Sequence, residues 1–338
     1  MNLDGKKILF LSPNFFGYEK AIQKRLEELG GEVDFYNERP SDSALSKGII
    51  RVKSSFYQRK INRYYRRILE EIKAEQYDFL LLIKGESIPL FFLEKFRNAN
   101  PKSSMIFYSY DAVSECPKSR KLYPYFNQNF TFEPSDAQKF NLHFRPLFFL
   151  EEYVNSSIKY PLKYHISFVG SAHTDRYLVG EKVRTETERL NLASFFYYYA
   201  PGKLVFKLKK FFDKNLQKFD DKKLSFQKLS HAEIRDIYES SFAVLDVNKP
   251  FQAGLTMRTF EALASGKKLI TTNSDVKNYP FYSEDNICIL NREHISLKPE
   301  FFEKPFRHLE QAVFEKMSLD SWIECLFVKN QDEYWTFK

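Results

Sequence analysis

Tyr77-Asp78-Phe79-Leu80-Leu81-Leu82-Ile83 ends in five apolar residues with none of the alternation that a half-exposed strand shows. A strand of this kind is apolar on both faces, so it belongs in a parallel sheet covered on each side by helices. The surrounding chain has the matching rhythm. Lys7 to Leu11 is a compact apolar strand, and Ala21 to Leu29 has helical periodicity ending at Gly30-Gly31. Glu32 to Tyr36 reads as a second strand, residues 55 to 75 as a long basic helix and Leu90 to Asn98 as another helix. Ser104 to Tyr108 and Asn129 to Phe132 are further strands, and Ser135 to Phe140 is a short capped helix. The alternation predicts a doubly wound α/β domain over residues 1 to 150.

After an interdomain passage from Phe144 to Pro161 the pattern restarts. Strands are expected at Tyr164 to Val169, Ser194 to Tyr199, Leu224 to Gln227, Phe242 to Val247, Lys268 to Thr272 and Asn286 to Leu290. Helices fall between them: one through about Leu190, one over residues 203 to 217, and one capped by Ser230 that runs to Glu239. This predicts a second Rossmann-like domain over 151 to 312, followed by helices over 313 to 338. At 338 residues, with 35 Phe and 21 Tyr, the chain has the length and apolar content for two cores. Neither half carries a GxGxxG or GxxxxGK[ST] loop, and the missing dinucleotide fingerprint counts against an oxidoreductase.

The segment richest in chemistry is Gly254-Leu255-Thr256-Met257-Arg258-Thr259-Phe260-Glu261-Ala262-Leu263-Ala264-Ser265-Gly266. It reads as a glycine loop, a short helix and a glycine C-cap before a buried strand. The helix start would offer free N–H groups and a positive dipole end to an anion. Arg258 adds a forked cation suited to a diphosphate, and Glu261, one turn on, a carboxylate suited to ribose hydroxyls. An ordinary amphipathic helix ending in Gly would show the same pattern. A second candidate is Ile166-Ser167-Phe168-Val169-Gly170-Ser171 with Arg176 nearby, where Gly170 would let backbone approach a ligand and Arg176 would reach phosphate.

Residues 257 to 262 and 166 to 171 together resemble GT-B glycosyltransferases, most closely their CgeB-like branch. That branch carries a Met-Arg-x-Phe-Glu-Ala core and a strand ending in Phe-Val-Gly-Ser. The resemblance implies GT-B architecture, with two Rossmann-like domains facing a central cleft and terminal helices that cross back to the first. It implies a donor site in the second domain. There Glu261 would bind ribose; the Gly254 loop, Thr256 and Arg258 would bind diphosphate; and Gly170, Ser171 and Arg176 would complete the phosphate side. Lys228 and Leu229 would lie beside the base, and Asp246 to Asn248 beside the sugar or the loop, with Asn248 in the site. The larger retaining families carry a first glutamate eight positions before the second, and that position here is Ala253. No Asp-X-Asp occurs, so the metal-dependent GT-A type finds no support. The implied donor is a nucleotide sugar, a UDP-sugar by preference, with no metal or other cofactor required.

The first domain would supply the acceptor site and a general base. Asp111, in Tyr108-Ser109-Tyr110-Asp111, is one candidate, and Glu86, in Lys84-Gly85-Glu86, competes with it. Either would equally serve as a helix cap. The implied acceptor is a glycan or a lipid-linked sugar of a bacterial capsule, lipopolysaccharide or spore coat. The rival readings are a sugar-nucleotide epimerase and a non-catalytic glycan- or nucleotide-binding module.

The formal charge is +8. Arg51 to Arg67 contains seven cations, four aromatics and no acid. The run reads as the solvated face of a helix, as contact with an anionic membrane surface, or as contact with nucleic acid, and nothing else in the chain supports the last. Cys116, Cys288 and Cys325 lie far apart without metal-ligand spacing, which fits a reducing cytosol. The polar opening Met1 to Lys7 is no signal peptide, and no apolar run reaches the roughly 20 residues of a membrane span. The expected location is the cytoplasm, free or on the inner face of the membrane.

Overall fold

The computed structural model describes residues 1–40, 54–154, 161–329 and 333–335. Arg51 to Lys53 of the basic run and residues 155–160 of the passage lie outside the described residues. The chain divides into two compact units, Met1–Pro146 with the stretch from Asp320, and Leu147–Leu319.

In the first unit β1 (Lys7–Ser12), α1 (Tyr18–Glu28), β2 (Glu32–Asn37), α2 (Ser54–Glu71), β3 (Phe79–Ile83), α3 (Leu90–Ala99), β4 (Ser104–Ser109), β5 (Gln128–Thr131), α4 (Pro134–Phe140) and β6 (His143–Phe144) follow in order. The sheet order is β2-β1-β3-β4-β5-β6, every pair parallel. Leu80 to Ile83 are fully buried, as an apolar run inside a covered sheet requires. Leu9, Leu80 and Leu82 pack with Tyr65 and Ile68 of α2 and Phe92 and Phe96 of α3. Each such side chain contributes about 1.5–3 kcal/mol by leaving water. Within this unit the chain's last part returns to the sheet: Trp322 lies 4.9 Å from the Tyr108 ring, and Arg25 pairs with Asp320 at 2.6 Å. The strand β6 was not expected, because two residues are too few to show a period.

The second unit runs β7 (Tyr164–Ser171), α5 (Arg176–Arg189), β8 (Ser194–Tyr199), α6 (Lys203–Phe212), α7 (Lys214–Gln217), β9 (Leu224–Ser225), α8 (His231–Glu239), β10 (Ser241–Asp246), α9 (Met257–Ala264), β11 (Lys268–Thr271) and β12 (Ile287–Ile289). Its parallel order is β12-β11-β10-β7-β8-β9. Both sheets are doubly wound, as the sequence pattern predicted. The helix expected over 203–217 is in fact two, broken at Asp213, whose extended backbone and carboxylate cap a new start by accepting from Asn215 N. Ser230 and Glu233 form a reciprocal capping box at α8. Gly266, at φ +64°, closes α9: its N–H reaches Leu263 O, and Lys267 N reaches Ala262 O at 3.0 Å. Only glycine takes that left-handed turn without strain, and it delivers the chain into β11.

In each sheet the chain winds to one side and then restarts on the other. The reversal falls between β1 and β3 in the first unit and between β7 and β10 in the second. Ligand crevices of open α/β sheets lie at the carboxyl ends of the strands at this point.

Candidate functional site

In the second unit the strand ends at the reversal are Val169 to Ser171 on β7 and Asp246 on β10. Asp246 is 1% exposed and accepts three bonds: from Thr256 Oγ1 (2.9 Å), Thr259 Oγ1 (3.1 Å) and Arg258 Nη1 (2.7 Å). It pins the start of α9. Thr256 sits at the N-cap with extended backbone but turns its hydroxyl to Asp246, so its side chain caps none of the first N–H groups of α9.

Arg258 lies across the end of β7. Its Nε and Nη2 both donate to Val169 O, at 3.0 and 2.6 Å, and its guanidinium sits 5.2 Å from the Phe168 ring. Burial works against its charge, but Asp246 and Tyr238 hold its pKa above the usual arginine value. Gly170 is what lets it lie there. A Cβ at that position would stand 2.7 Å from Phe168 Cζ and 3.0 Å from Arg258 Nη2. The backbone approach expected at Gly170 is thus already taken by the chain's own arginine.

Arg176 opens α5 and is buried. Its Nε donates to Val247 O at 2.8 Å, and Nη1 lies 2.9 Å from His173 Nε2. Among the described residues no carboxylate lies within ion-pairing distance of it. Burial, followed by the charge of Arg258, pulls its pKa down to about 9. Burial and the nearby Arg176, Lys249 and Lys209 likewise hold His173 well below the ordinary histidine value. The neutral ring accepts from Arg176 at Nε2, which places its proton on Nδ1, 3.3 Å from Thr174 Oγ1.

A third arginine joins them. Arg292, in the loop after β12, pairs with Asp175 at 2.7 Å and donates to Asn248 O and Asn248 Oδ1. Asn248 also accepts from Thr272 Oγ1 and donates to Gln252 O, which fixes the loop before α9. Three arginines therefore meet three carboxylates, Asp175, Asp246 and Glu261, and the excess is positive through Lys209 and Lys249. His173 and Arg292 carry much of this arrangement and were not among the site residues read from sequence, whereas Asp246 was read there as lying beside the sugar or the loop. No local pattern marks Arg292, which is 34 positions beyond Arg258.

Of the remaining candidates, Glu261 is 4% exposed, and its charge acts on Tyr153, Tyr238 and Arg258. Gly254 is buried, its carbonyl accepting from Gln252 Nε2 at 2.7 Å, and Leu255 and Met257 are buried beside it. Ser171 is half-buried at the end of β7. Lys228 is exposed and Leu229 half-buried in the loop between β9 and α8, and His231 at the start of α8 meets Tyr153 OH at 2.8 Å.

In the first unit both carboxylate candidates meet one lysine. Lys84 Nζ lies 2.7 Å from Asp111 and 3.8 Å from Glu86, and Glu86 also pairs with Arg39. Lys84 and Gly85 have φ of +77° and +66°, a reversal that brings Glu86 back beside the strand ends. Beneath them lies Glu38, which sequence reading passed over. It is fully buried and accepts from the N–H groups of Ser87 and Ile88. Burial pushes its pKa up to about 7, against the N–H of Ser87 and the charge of Arg39. Alongside is a cavity of about 390 Å³ between α2, residues 85–91 and residues 118–122. The buried hydroxyls of Tyr57 and Ser87 on its wall have no hydrogen-bond partner among the described residues. The wall is mixed: Ile61, Ile88 and Phe91 are apolar, and Gln58, Asn62 and Glu86 offer polar groups that suit a hydroxylated ligand.

No protein-family model and no curated protein matches the chain. Solved structures do. One is the UDP-forming α,α-trehalose-phosphate synthase of Burkholderia xenovorans in complex with glucose-6-phosphate (TM-score 0.58, 11% identity, 98% of each chain covered). Another is the catalytic domain of Arabidopsis thaliana starch synthase IV bound to ADP and acarbose (0.51, 11%, 96% of this chain and 94% of that one). A third is Anabaena HepE in complex with UDP and glucose (0.50, 9%, 94% and 91%). At these identities the likeness is one of fold, and that fold is the GT-B fold.

Proposed function

We propose that this chain is a glycosyltransferase moving a sugar from a nucleoside-diphosphate donor, a UDP-sugar, to a glycan or lipid-linked acceptor, without a metal. One observation carries the reading. A buried arginine at the reversal of the second sheet hydrogen-bonds, among the described residues, only a carbonyl and an imidazole, with Asp246 and Asp175 acting on it from beyond ion-pairing distance in a cluster with excess positive charge. Burying a charge without its counter-charge is costly, and a diphosphate would supply the missing one. Arg176 and the remaining N–H groups of Arg258 would bind the phosphates with the start of α9. Glu261 would take the ribose, and Lys228 and Leu229 would flank the base. The cluster would stabilise charge as it develops on the departing diphosphate. Nucleotides in solved structures of this fold support the donor class.

The acceptor, in this reading, is held by the first unit in the cavity beside Glu86, with its hydroxyls on the polar lining of Gln58, Asn62 and Glu86. Asp111, Glu86 or Glu38 would take the acceptor proton, and burial pushes the pKa of Glu38 up to about 7. Within the fold we place the chain in the CgeB-like branch, on residues 166–171 and 257–262, working in the cytoplasm on cell-surface polysaccharide. Among the described residues no helix is long and apolar enough to cross a membrane.

The test is release of UDP from UDP-sugars with and without candidate acceptors. Acceptor-dependent release is expected, and Arg258→Ala should lower kcat/KM by about 30- to 1000-fold, the effect of losing one preorganised donor. A variant within a few-fold of wild type would remove Arg258 from the mechanism. Conversion of the donor sugar with no acceptor would instead favour an epimerase.

A further inference from the structure

Helix α6 leaves an apolar ridge outside the fold. Leu204, Leu208, Phe211 and Phe212 are 83%, 63%, 74% and 76% exposed. Their spacing of i, i+4, i+7 and i+8 puts them on one face. The opposite face carries Phe206, 3% exposed and packed against Phe219 at 5.2 Å, so the helix is anchored by its back. Singly exposed apolar residues need no explanation, but four on one face of a ten-residue helix do.

The polar residues of α6 name the occupant. Lys203, Lys207, Lys209 and Lys210 are its only charged residues, and Lys214 and Lys218 follow within two turns. Lys203 and Lys207 flank the ridge on one side and Lys209 on the other, while Lys210 is tied to Asp221 at 2.7 Å. A second copy of this helix would set lysine against lysine. An anionic leaflet offers negative charge to the flanks and an acyl boundary to the ridge, and at about 15 Å the helix would lie in that plane. Helix α2, where the sequence first suggested membrane contact, differs: Tyr57, Ile61, Tyr65 and Ile68 are buried, so its apolar face belongs to the core. We propose that α6 is an interfacial helix that docks the second unit on an anionic membrane surface. The proposal does not depend on the transferase reading.

The test is flotation of the whole chain with vesicles of phosphatidylcholine alone or with about 30% phosphatidylglycerol, across a salt series. Wild type should float with the anionic vesicles only, and less as salt rises. Leu208→Glu with Phe211→Glu should cut partitioning at least tenfold while the thermal transition stays in place, since neither side chain is packed in the core. Lys203→Gln with Lys207→Gln, which keeps the ridge, should weaken anionic binding by about fivefold per lysine. Failure of wild type to float, or flotation unchanged in the Leu208/Phe211 variant, overturns the proposal. So does a wild-type dimer that the variant converts to monomer without any vesicle binding.

Discussion

Replacing Arg176 with Met separates a ligand-binding arginine from a structural one. Burial, then the charge of Arg258, pulls its pKa down from the ordinary arginine value to about 9. At roughly 1.4 kcal/mol per unit, holding the charge in place costs the unliganded fold about 5 kcal/mol. A cation whose folded pKa is depressed carries this penalty at every pH below the folded value, and sheds it only as pH rises through about 9 and beyond. Methionine removes the charge and fills comparable space. The loss of two hydrogen bonds and an orphaned Val247 carbonyl returns about 2–4 kcal/mol. The variant should therefore be more stable than wild type by about 1–3 kcal/mol, a rise of roughly 2–10 °C in Tm. Differential scanning calorimetry with and without UDP reads both halves of the argument. A higher Tm with the UDP-induced shift abolished is expected. A fall of several degrees would show that the guanidinium is a strut, and a higher Tm with the shift intact would show that it is not a phosphate ligand.

Gly170→Ala places a Cβ 3.0 Å from Arg258 Nη2 and 2.7 Å from Phe168, so the guanidinium must move; UDP affinity by calorimetric titration should fall about tenfold or more. Asp246→Asn removes the counter-charge of a buried arginine and should cost about 3–5 kcal/mol in denaturant unfolding. Glu38 has a folded pKa raised from 4.5 to about 7, so the fold retains protons that the unfolded chain releases. Its contribution is full below pH 4.5 and lost as pH rises through 7, about 3 kcal/mol in all. Wild-type stability should fall between pH 5 and 8, and Glu38→Gln should flatten that slope; parallel curves would remove Glu38 as the cause.

The double winding was legible because it rests on local pattern: apolar runs for covered strands, helical periods between them, and Gly266 where the backbone must turn left-handed. Ser230 announced the start of α8, and the structure adds Glu233 as the reciprocal half of its cap. What was not legible depends on contacts far apart in sequence. Asp246 serves a helix ten to thirteen positions on, Arg258 lies on a carbonyl 89 positions back, and Arg292 reaches Asp175 across 117. Glu38 follows a strand with no mark of its own, and its burial is made by residues 49 and 50 positions later. The exposure of α6 was hidden for the opposite reason. An amphipathic period states that two faces differ, and only the tertiary structure states which one is covered.

Calorimetric titration of the whole chain with UDP, GDP, ADP and dTDP bears most directly on the donor site. Saturable binding of one of them at one per chain, weakened at least tenfold in Arg258→Ala and in Glu261→Ala, is the predicted result. No saturable binding of any nucleoside diphosphate, or binding that both variants retain, would contradict it.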